Sequence, residues 1–377
     1  MENALKAEMA SACPGSRFSF SQRGLVVFKA DENQPGPWPD QLYLARTQGE
    51  SLGSLKLPGD RSEKRWNPNT FAEAVGTAEQ FGSEQVSVFC EHWQKQWPEP
   101  IGKFDKLHWW VRDGLQPAGQ FQRNITPSLA STPLSGFFSA VSGRLAEMGW
   151  LGSAFPNQNG DQGEEILDVC VLSPYQFWIG RHRVEKPQQR WPGGVLPIVA
   201  TPAPVISRAY FKIREAALWA GLPLEPGTRV AEIGAAPGGS CQWLLEQDFQ
   251  VVGIDPAEID PLVAGDQRFQ HIQKRGREVR RRELAGVKWL LSDANVAPKY
   301  ILDTFEDLLS HPAVSPTHLV LTLKLPAVEL LQDLSAWQER VASWGYPHQR
   351  LRQLIFNRQE VCLVASKEPA RSESRSR

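Results

Sequence analysis

Cysteine is scarce in this 377-residue chain, and the five present, Cys13, Cys90, Cys170, Cys241 and Cys362, stand singly. Without CxxC spacing they argue against a zinc site and against a disulfide framework, so no metal is expected and a reducing cytoplasm is the expected home. Long apolar runs are missing too. No stretch approaches the roughly 20 residues needed to cross a bilayer, and the N-terminal Met1–Cys13 mixes charges without an apolar centre, unlike a secretory leader. An imbalance of charge is also lacking, since 41 basic residues against 42 acidic ones leave a net charge of −1. Binding to nucleic acid would therefore have to come from a local patch.

What is present falls into two halves. Residues 1–16 read as weakly ordered, and 17–92 as a small α+β domain. Its expected strands are Arg23–Lys29, Leu42–Arg46 and Gln85–Cys90, with a helix over Asn69–Ala78. Residues 93–186 read as a second small domain, with a strand at Lys106–Arg112. A helix follows, opened by Pro133 and carrying Leu134, Phe137, Phe138, Val141, Leu145 and Met148 at helical spacing, then strands at Glu165–Leu172 and Gln176–His182. Fourteen tryptophans are many for this length. Core packing accounts for most of them, with Trp109, Trp110 and Phe121 open to stacking on unpaired bases. Residues 187–206, rich in proline, read as an extended linker.

From Ser207 the pattern changes. Apolar strands at Arg229–Ile233, Gln250–Ile254, Phe269–Ile272, Val287–Leu291, His318–Leu323, Gln349–Leu354 and Glu360–Ala365 alternate with helical segments, the first over Ser207–Ala220. This alternation implies an α/β domain over 207–367, a mostly parallel seven-stranded sheet with helices on both faces. A Ser/Arg-rich tail, 368–377, follows.

Arg229-Val-Ala-Glu-Ile-Gly-Ala-Ala-Pro-Gly-Gly-Ser240 is the most informative segment. A strand runs into a glycine-rich turn, where the backbone can approach a ligand closely. The turn lacks the GxGxxG spacing of dinucleotide sites and the Gly-Lys-Ser/Thr of phosphate loops. A nucleoside-type cofactor fits better, and Asp255, at the end of the next strand, is placed to hold ribose hydroxyls. Asp293 and Lys324 end the fourth and fifth strands, where ligands of open parallel sheets bind. Lys212 lies on the helix before the cofactor turn, and Glu360 enters the last strand. A basic run, Arg268, Lys274, Arg275, Arg277, Arg280, Arg281 and Arg282, is suited to phosphates.

Glu232-Ile-Gly-Ala-Ala-Pro-Gly-Gly239 resembles the cofactor loop of the FtsJ-like ribose 2′-O-methyltransferases, with Ser240 where that family usually carries tryptophan. Ser207-Arg-Ala-x-x-Lys212 and Asn357-Arg358-x-Glu360 resemble two further segments of the family, and Lys212, Asp293, Lys324 and Glu360 fill its Lys-Asp-Lys-Glu tetrad. The resemblance spans roughly residues 200–366. It implies a Rossmann-like class I methyltransferase domain that uses S-adenosylmethionine. Gly234, Ala235, Ala236, Pro237, Gly238, Gly239 and Ser240 would line the cofactor, with Asp255 on its ribose, Glu232 behind its methionine end and Asp293 near the methyl donor. It also implies Lys324 as general base, oriented by Asp293, with Lys212 and Glu360 positioning the ribose. A lysine accepts a proton only when neutral, a form that desolvation and a neighbouring cation favour and carboxylates oppose.

Leu323-Lys-Leu-Pro326, and Trp191-Pro-Gly-Gly194 ahead of Ser207-Arg208, are similar to the RlmM group of that family. That group methylates a cytidine ribose of large-subunit ribosomal RNA and carries an RNA-binding THUMP domain, here matched to 93–186. The expected protein is thus a cytoplasmic monomer that acts on RNA and does not engage membranes. Methylation of another RNA, or a non-catalytic assembly role on the same fold, are the alternatives.

Overall fold

Seven apolar strands of the C-terminal half condense into one sheet in the computed structural model, which describes residues 2–22, 24–30, 39, 42–58, 83–111, 135–173, 175–196 and 204–369. The strands are β7 (Arg229–Ile233), β8 (Gln250–Ile254), β9 (Phe269–Ile272), β10 (Trp289–Ser292), β11 (His318–Lys324), β12 (His348–Arg352) and β13 (Glu360–Ser366). Their order is β12-β13-β11-β10-β7-β8-β9. From β9 through β11 all neighbours are parallel, whereas β13 runs antiparallel to both β11 and β12. Alternate residues feed opposite faces, so continuous apolar strands bury both sides. Ala231, Leu290 and Leu321 join one core with helices α7 (Pro298–Leu309) and α8 (Leu334–Ser343). Val230, Leu291 and Val320 join the other with α4 (Ala209–Ala220) and α5 (Gly239–Glu246). The chain goes from β7 to β8 on one side and returns to β10 on the other, which opens a crevice over the carboxyl ends of β7 and β10.

The N-terminal half builds a second sheet, β3-β6-β5-β4, from β3 (Glu50–Lys56), β4 (Lys106–Val111), β5 (Glu165–Ser173) and β6 (Gln176–Arg183). Helices α2 (Ser83–Gln96) and α3 (Ser135–Glu147) share an aromatic core with it, Phe89, Trp93, Trp109, Phe138 and Phe177 among them. A separate hairpin pairs β1 (Ser16–Gln22) with β2 (Leu25–Ala30).

Several expectations are corrected here. Gln85–Cys90 is helical, because Val86, Phe89, Cys90 and Trp93 are all buried, a spacing of three, four and seven that only a helix places on one face. The boundary expected at residue 92 falls inside this helix, and the sheet draws β3 from before it. The first residues, expected to lack order, form α1 (Glu2–Ala12), which buries Ala4 and Met9. On α1 the Glu8 carboxylate accepts the backbone N–H groups of Tyr43 and Leu44. Burial pushes this carboxyl up to about 7 against those two bonds. Leu42–Arg46 accordingly forms a turn and not a strand. The first part of the linker is not extended. It coils into 3-10 turns at Pro187–Arg190 and Pro192–Gly194, each opened by proline. Trp109, a stacking candidate, is fully buried in the core. The helix expected at Asn69–Ala78, Phe121, Pro133, residues 197–203 and residues 370–377 of the tail lie outside the described residues.

One buried ion pair ties these parts together. Arg352 of β12 donates to Glu215 of α4 at 3.0 Å and to the carbonyl of Gly194 at 3.3 Å. The other Glu215 oxygen accepts from Ile355 N at 2.9 Å. Nothing in the sequence patterning marked this pair, which fixes α4 three residues beyond Lys212.

Candidate active site

The turn after β7 approaches the turn after β10 so closely that a side chain is excluded. A Cβ on Gly234, whose φ is +82°, would lie 2.5 Å from Ala294 Cβ. Gly239 opens α5 hard against Ser207, where a Cβ would fall 2.1 Å from the hydroxyl oxygen. Glycine is thus required at both ends of the turn, by conformation at Gly234 and by contact at Gly239. Asp255, at the end of β8, accepts from Ala236 N at 3.2 Å and Ala257 N at 2.8 Å, which holds the turn and the acidic residue together.

Glu232 lies on β7, two residues before Gly234, and is buried. Burial drives its carboxyl up to about 8, opposed by hydrogen bonds from Cys241 and Ser240 and reinforced by the charges of Asp293 and Asp255. Cys241 Sγ donates at 3.1 Å. Ser240 therefore serves as a donor to this carboxylate. No cation pairs with Glu232 among the described residues.

All four tetrad residues meet, in an order different from the expected one. Lys212 Nζ donates to Asp293 at 2.9 and 3.2 Å and lies 2.5 Å from Glu360 Oε1. Lys324 Nζ pairs with Glu360 Oε2. The result is a chain of alternating charge, Asp293–Lys212–Glu360–Lys324. Asp293 was expected to orient Lys324. It holds Lys212 instead, because the antiparallel register sets Glu360 directly opposite Lys324 across β11 and β13. Lys212 satisfies two carboxylates and its side chain is 8% exposed, whereas Lys324 has one carboxylate partner and is 24% exposed. Burial raises the Glu360 carboxyl, but Lys212 and Lys324 outweigh it and hold the group below the usual carboxylate range.

Two neighbours escaped the sequence reading. Asn357, three residues before Glu360, is buried, and neither its amide nitrogen nor its oxygen has a partner among the described residues. Phe356 stacks on Phe211 of α4, with ring centroids 4.6 Å apart, and so fixes the entry to β13 against the helix that carries Lys212. Both lie beside quoted motif residues, yet neither carries a charge that would draw notice. A cavity of about 1090 Å³ lies away from this centre, between Leu42–Ser51 and the sheet face bearing Asp168 and His182, and no tetrad residue lines it. Among the described residues no cluster of His, Cys, Asp and Glu is placed to hold a metal, and no helix is long and apolar enough to cross a membrane.

Comparison with known proteins bears on the same region. A model of the FtsJ-like methyltransferase family matches residues 205–336. Ribosomal RNA large subunit methyltransferase M of Laribacter hongkongensis is 30% identical over 363 residues, covering 92% of this chain and 87% of that protein. The protein of the same name from Methylococcus capsulatus is 30% identical over 204 residues, covering 52% of this chain and 56% of its own length. The match thus spans little more than half of that second relative. Among solved structures, fibrillarin of Aeropyrum pernix with bound S-adenosylmethionine aligns with a TM-score of 0.32 at 15% identity, covering 52% of this chain and 81% of that one. A likeness so slight carries no argument.

Proposed function

The chain belongs to the ribosomal RNA large subunit methyltransferase M family, and on that footing we propose that it methylates a ribose 2′-hydroxyl, that of a cytidine, in large-subunit ribosomal RNA. The observation that carries this reading is the alternating chain Asp293–Lys212–Glu360–Lys324 at the strand ends beside the glycine-rich turn.

The turn suits S-adenosylmethionine. Gly234 lets the turn close on Ala294 where any Cβ would clash, Asp255 is placed for ribose hydroxyls, and buried Glu232 lacks a cation among the described residues that the amino group of the methionine end would supply. Ala235, Ala236, Pro237, Gly238, Gly239 and Ser240 complete this wall. When bound, the cofactor supplies a methyl group already activated by its sulfonium. The protein's own task is then alignment and removal of one proton. Lys324 is the base that takes the 2′-hydroxyl proton. It is the more exposed lysine, and it pairs with one carboxylate where Lys212 pairs with two. Lys212 is locked between Asp293 and Glu360 and fixes both carboxylates. Asp293 extends this network towards the cofactor turn, since the residue after it, Ala294, meets Gly234.

The β3–β6 unit with α2 and α3 serves as the THUMP-like RNA-binding module, and the protein works as a cytoplasmic monomer. Mass-spectrometric mapping of 2′-O-methyl groups in ribosomal RNA, from cells with the protein, without it, and with Lys324→Met, tests the reading. One cytidine methyl is expected to vanish in the latter two. An identical map in all three would overturn it.

A further inference from the structure

The segment between β9 and β10 carries a five-residue motif twice in tandem. Arg275-Gly-Arg-Glu-Val279 is followed directly by Arg280-Arg-Arg-Glu-Leu284. Each copy contains a 3-10 turn, Gly276–Glu278 and Arg281–Leu284. In each, the glutamate accepts the backbone N–H of the leading arginine, Glu278 from Arg275 at 3.0 Å and Glu283 from Arg280 at 2.8 Å. The apolar fifth residue is buried in both copies. The repeat thus places arginines at a fixed interval on a braced backbone.

The seven basic residues of this region are not equivalent. Arg268 is neutralised by Asp248 and Asp266, Lys274 by Glu283, Arg277 by Asp303 and Arg281 by Asp307. Arg277 and Arg281 thereby clamp one turn each onto α7. Arg275, Arg280 and Arg282 are exposed, and none has an acidic partner among the described residues. Gly276 packs so tightly on Ile233 that a Cβ would fall 2.9 Å from its Cγ2. The first copy therefore abuts the end of β7, where the cofactor turn begins. Three unneutralised guanidiniums on a rigid strip that starts at the reactive end of the sheet match a run of phosphates, which arginine forks engage in pairs of bonds.

We propose that Arg275, Arg280 and Arg282 form a track for the phosphate backbone of the RNA strand that flanks the target nucleotide. The proposal rests on the RNA-methylating activity proposed above. The test compares the full-length protein with the triple variant Arg275→Gln/Arg280→Gln/Arg282→Gln, and with Arg268→Gln as the neutralised control. Binding to a fragment of large-subunit ribosomal RNA is measured across a salt series, alongside KM, kcat and S-adenosylmethionine affinity. Each lost phosphate contact on a single strand lowers the slope of log K against log salt by about 0.7, so the triple variant is expected to lose about 2. Its KM for RNA rises while kcat and cofactor affinity hold, and the control keeps the wild-type slope. An unchanged slope in the triple variant, or an equal loss in the control, overturns the track. A wild type that leaves the RNA unmethylated while the triple variant still loses slope would overturn the activity and keep the track.

Discussion

Lys212 and Lys324 share one carboxylate, yet their loss is expected to have opposite consequences. In Lys324→Met, Glu360 keeps Lys212 at 2.5 Å and Lys212 keeps Asp293 at 2.9 Å. The pair removed is partly solvated, so the stability cost is about 0–1 kcal/mol. Turnover loses its proton acceptor and falls roughly 10²–10⁴-fold, which corresponds to about 3–5 kcal/mol of barrier. In Lys212→Met, two carboxylates, one of them 4% exposed, lose their shared cation. Asp293 is left without its cation while Glu360 keeps Lys324. The cost therefore exceeds that of a solvated pair and is bounded above by about 3–5 kcal/mol, the cost of a buried pair broken from one side.

The pH dependence separates the two further. Glu360 is depressed in the folded protein, so its stabilisation is present above the usual carboxylate value of 4.5 and is lost as pH falls through the lower folded value. Without Lys212, its strongest opposing charge, the carboxyl rises relative to its value in the intact protein. The deficit of Lys212→Met is then largest near neutrality and narrows on acidification. Single-turnover methyl transfer and calorimetry of S-adenosylmethionine near neutrality, and hydrogen exchange of β11 and β13 in urea between about pH 7 and about pH 3.5, read these quantities separately. Should Lys324→Met keep more than about a tenth of wild-type turnover, or Lys212→Met resist urea as well as Lys324→Met does, the two lysines do not divide catalysis and support in this way.

Glu232, pushed up to about 8, is protonated in the free protein at neutral pH, so pairing with a cationic cofactor releases a proton. Affinity for S-adenosylmethionine should weaken about tenfold per unit as pH falls below that value, and calorimetry in two buffers of different ionisation enthalpy should detect the released proton at neutral pH. Gly234→Ala forces a side chain to φ +82° and to 2.5 Å from Ala294, and should abolish cofactor binding in equilibrium dialysis while circular dichroism still reports a folded chain. Asn357→Leu removes a buried amide with no partner among the described residues and should stabilise the protein by about 1 kcal/mol in urea. The same change is expected to raise KM for RNA, with the unpartnered amide taken as a receiver of a substrate group, and an unchanged KM would refute that role.

Strands buried on both faces were legible because β7, β8, β10 and β11 are short apolar runs bounded by turn residues, and their ends located Asp293 and Lys324. The wiring of the tetrad was not legible. It depends on the antiparallel register of β13, which sets Glu360 opposite Lys324, and register between strands distant in sequence leaves no local mark. Gln85–Cys90 misled because Val86, Val88 and Cys90 alternate like a strand, and Trp93, one helical turn beyond Phe89, was needed to decide. The buried Glu215–Arg352 pair, separated by 137 positions, belongs to the same class. Short-range pattern names elements, whereas long-range pairing is settled by the packing of the whole domain.

The antiparallel β13 also fixes when the centre comes into being. This strand is inserted between β11 and β12, both of which precede it in the chain. A ribosome that has delivered everything up to Arg352 has made both lysines and Asp293 but not the carboxylate that joins the lysines. Until Glu360 emerges and its strand pairs with β11, Lys324 has no strand partner opposite it. The link between the two lysines therefore waits for β13, and a polypeptide interrupted before it carries the cofactor turn and Lys324 without the carboxylate that joins Lys324 to Lys212.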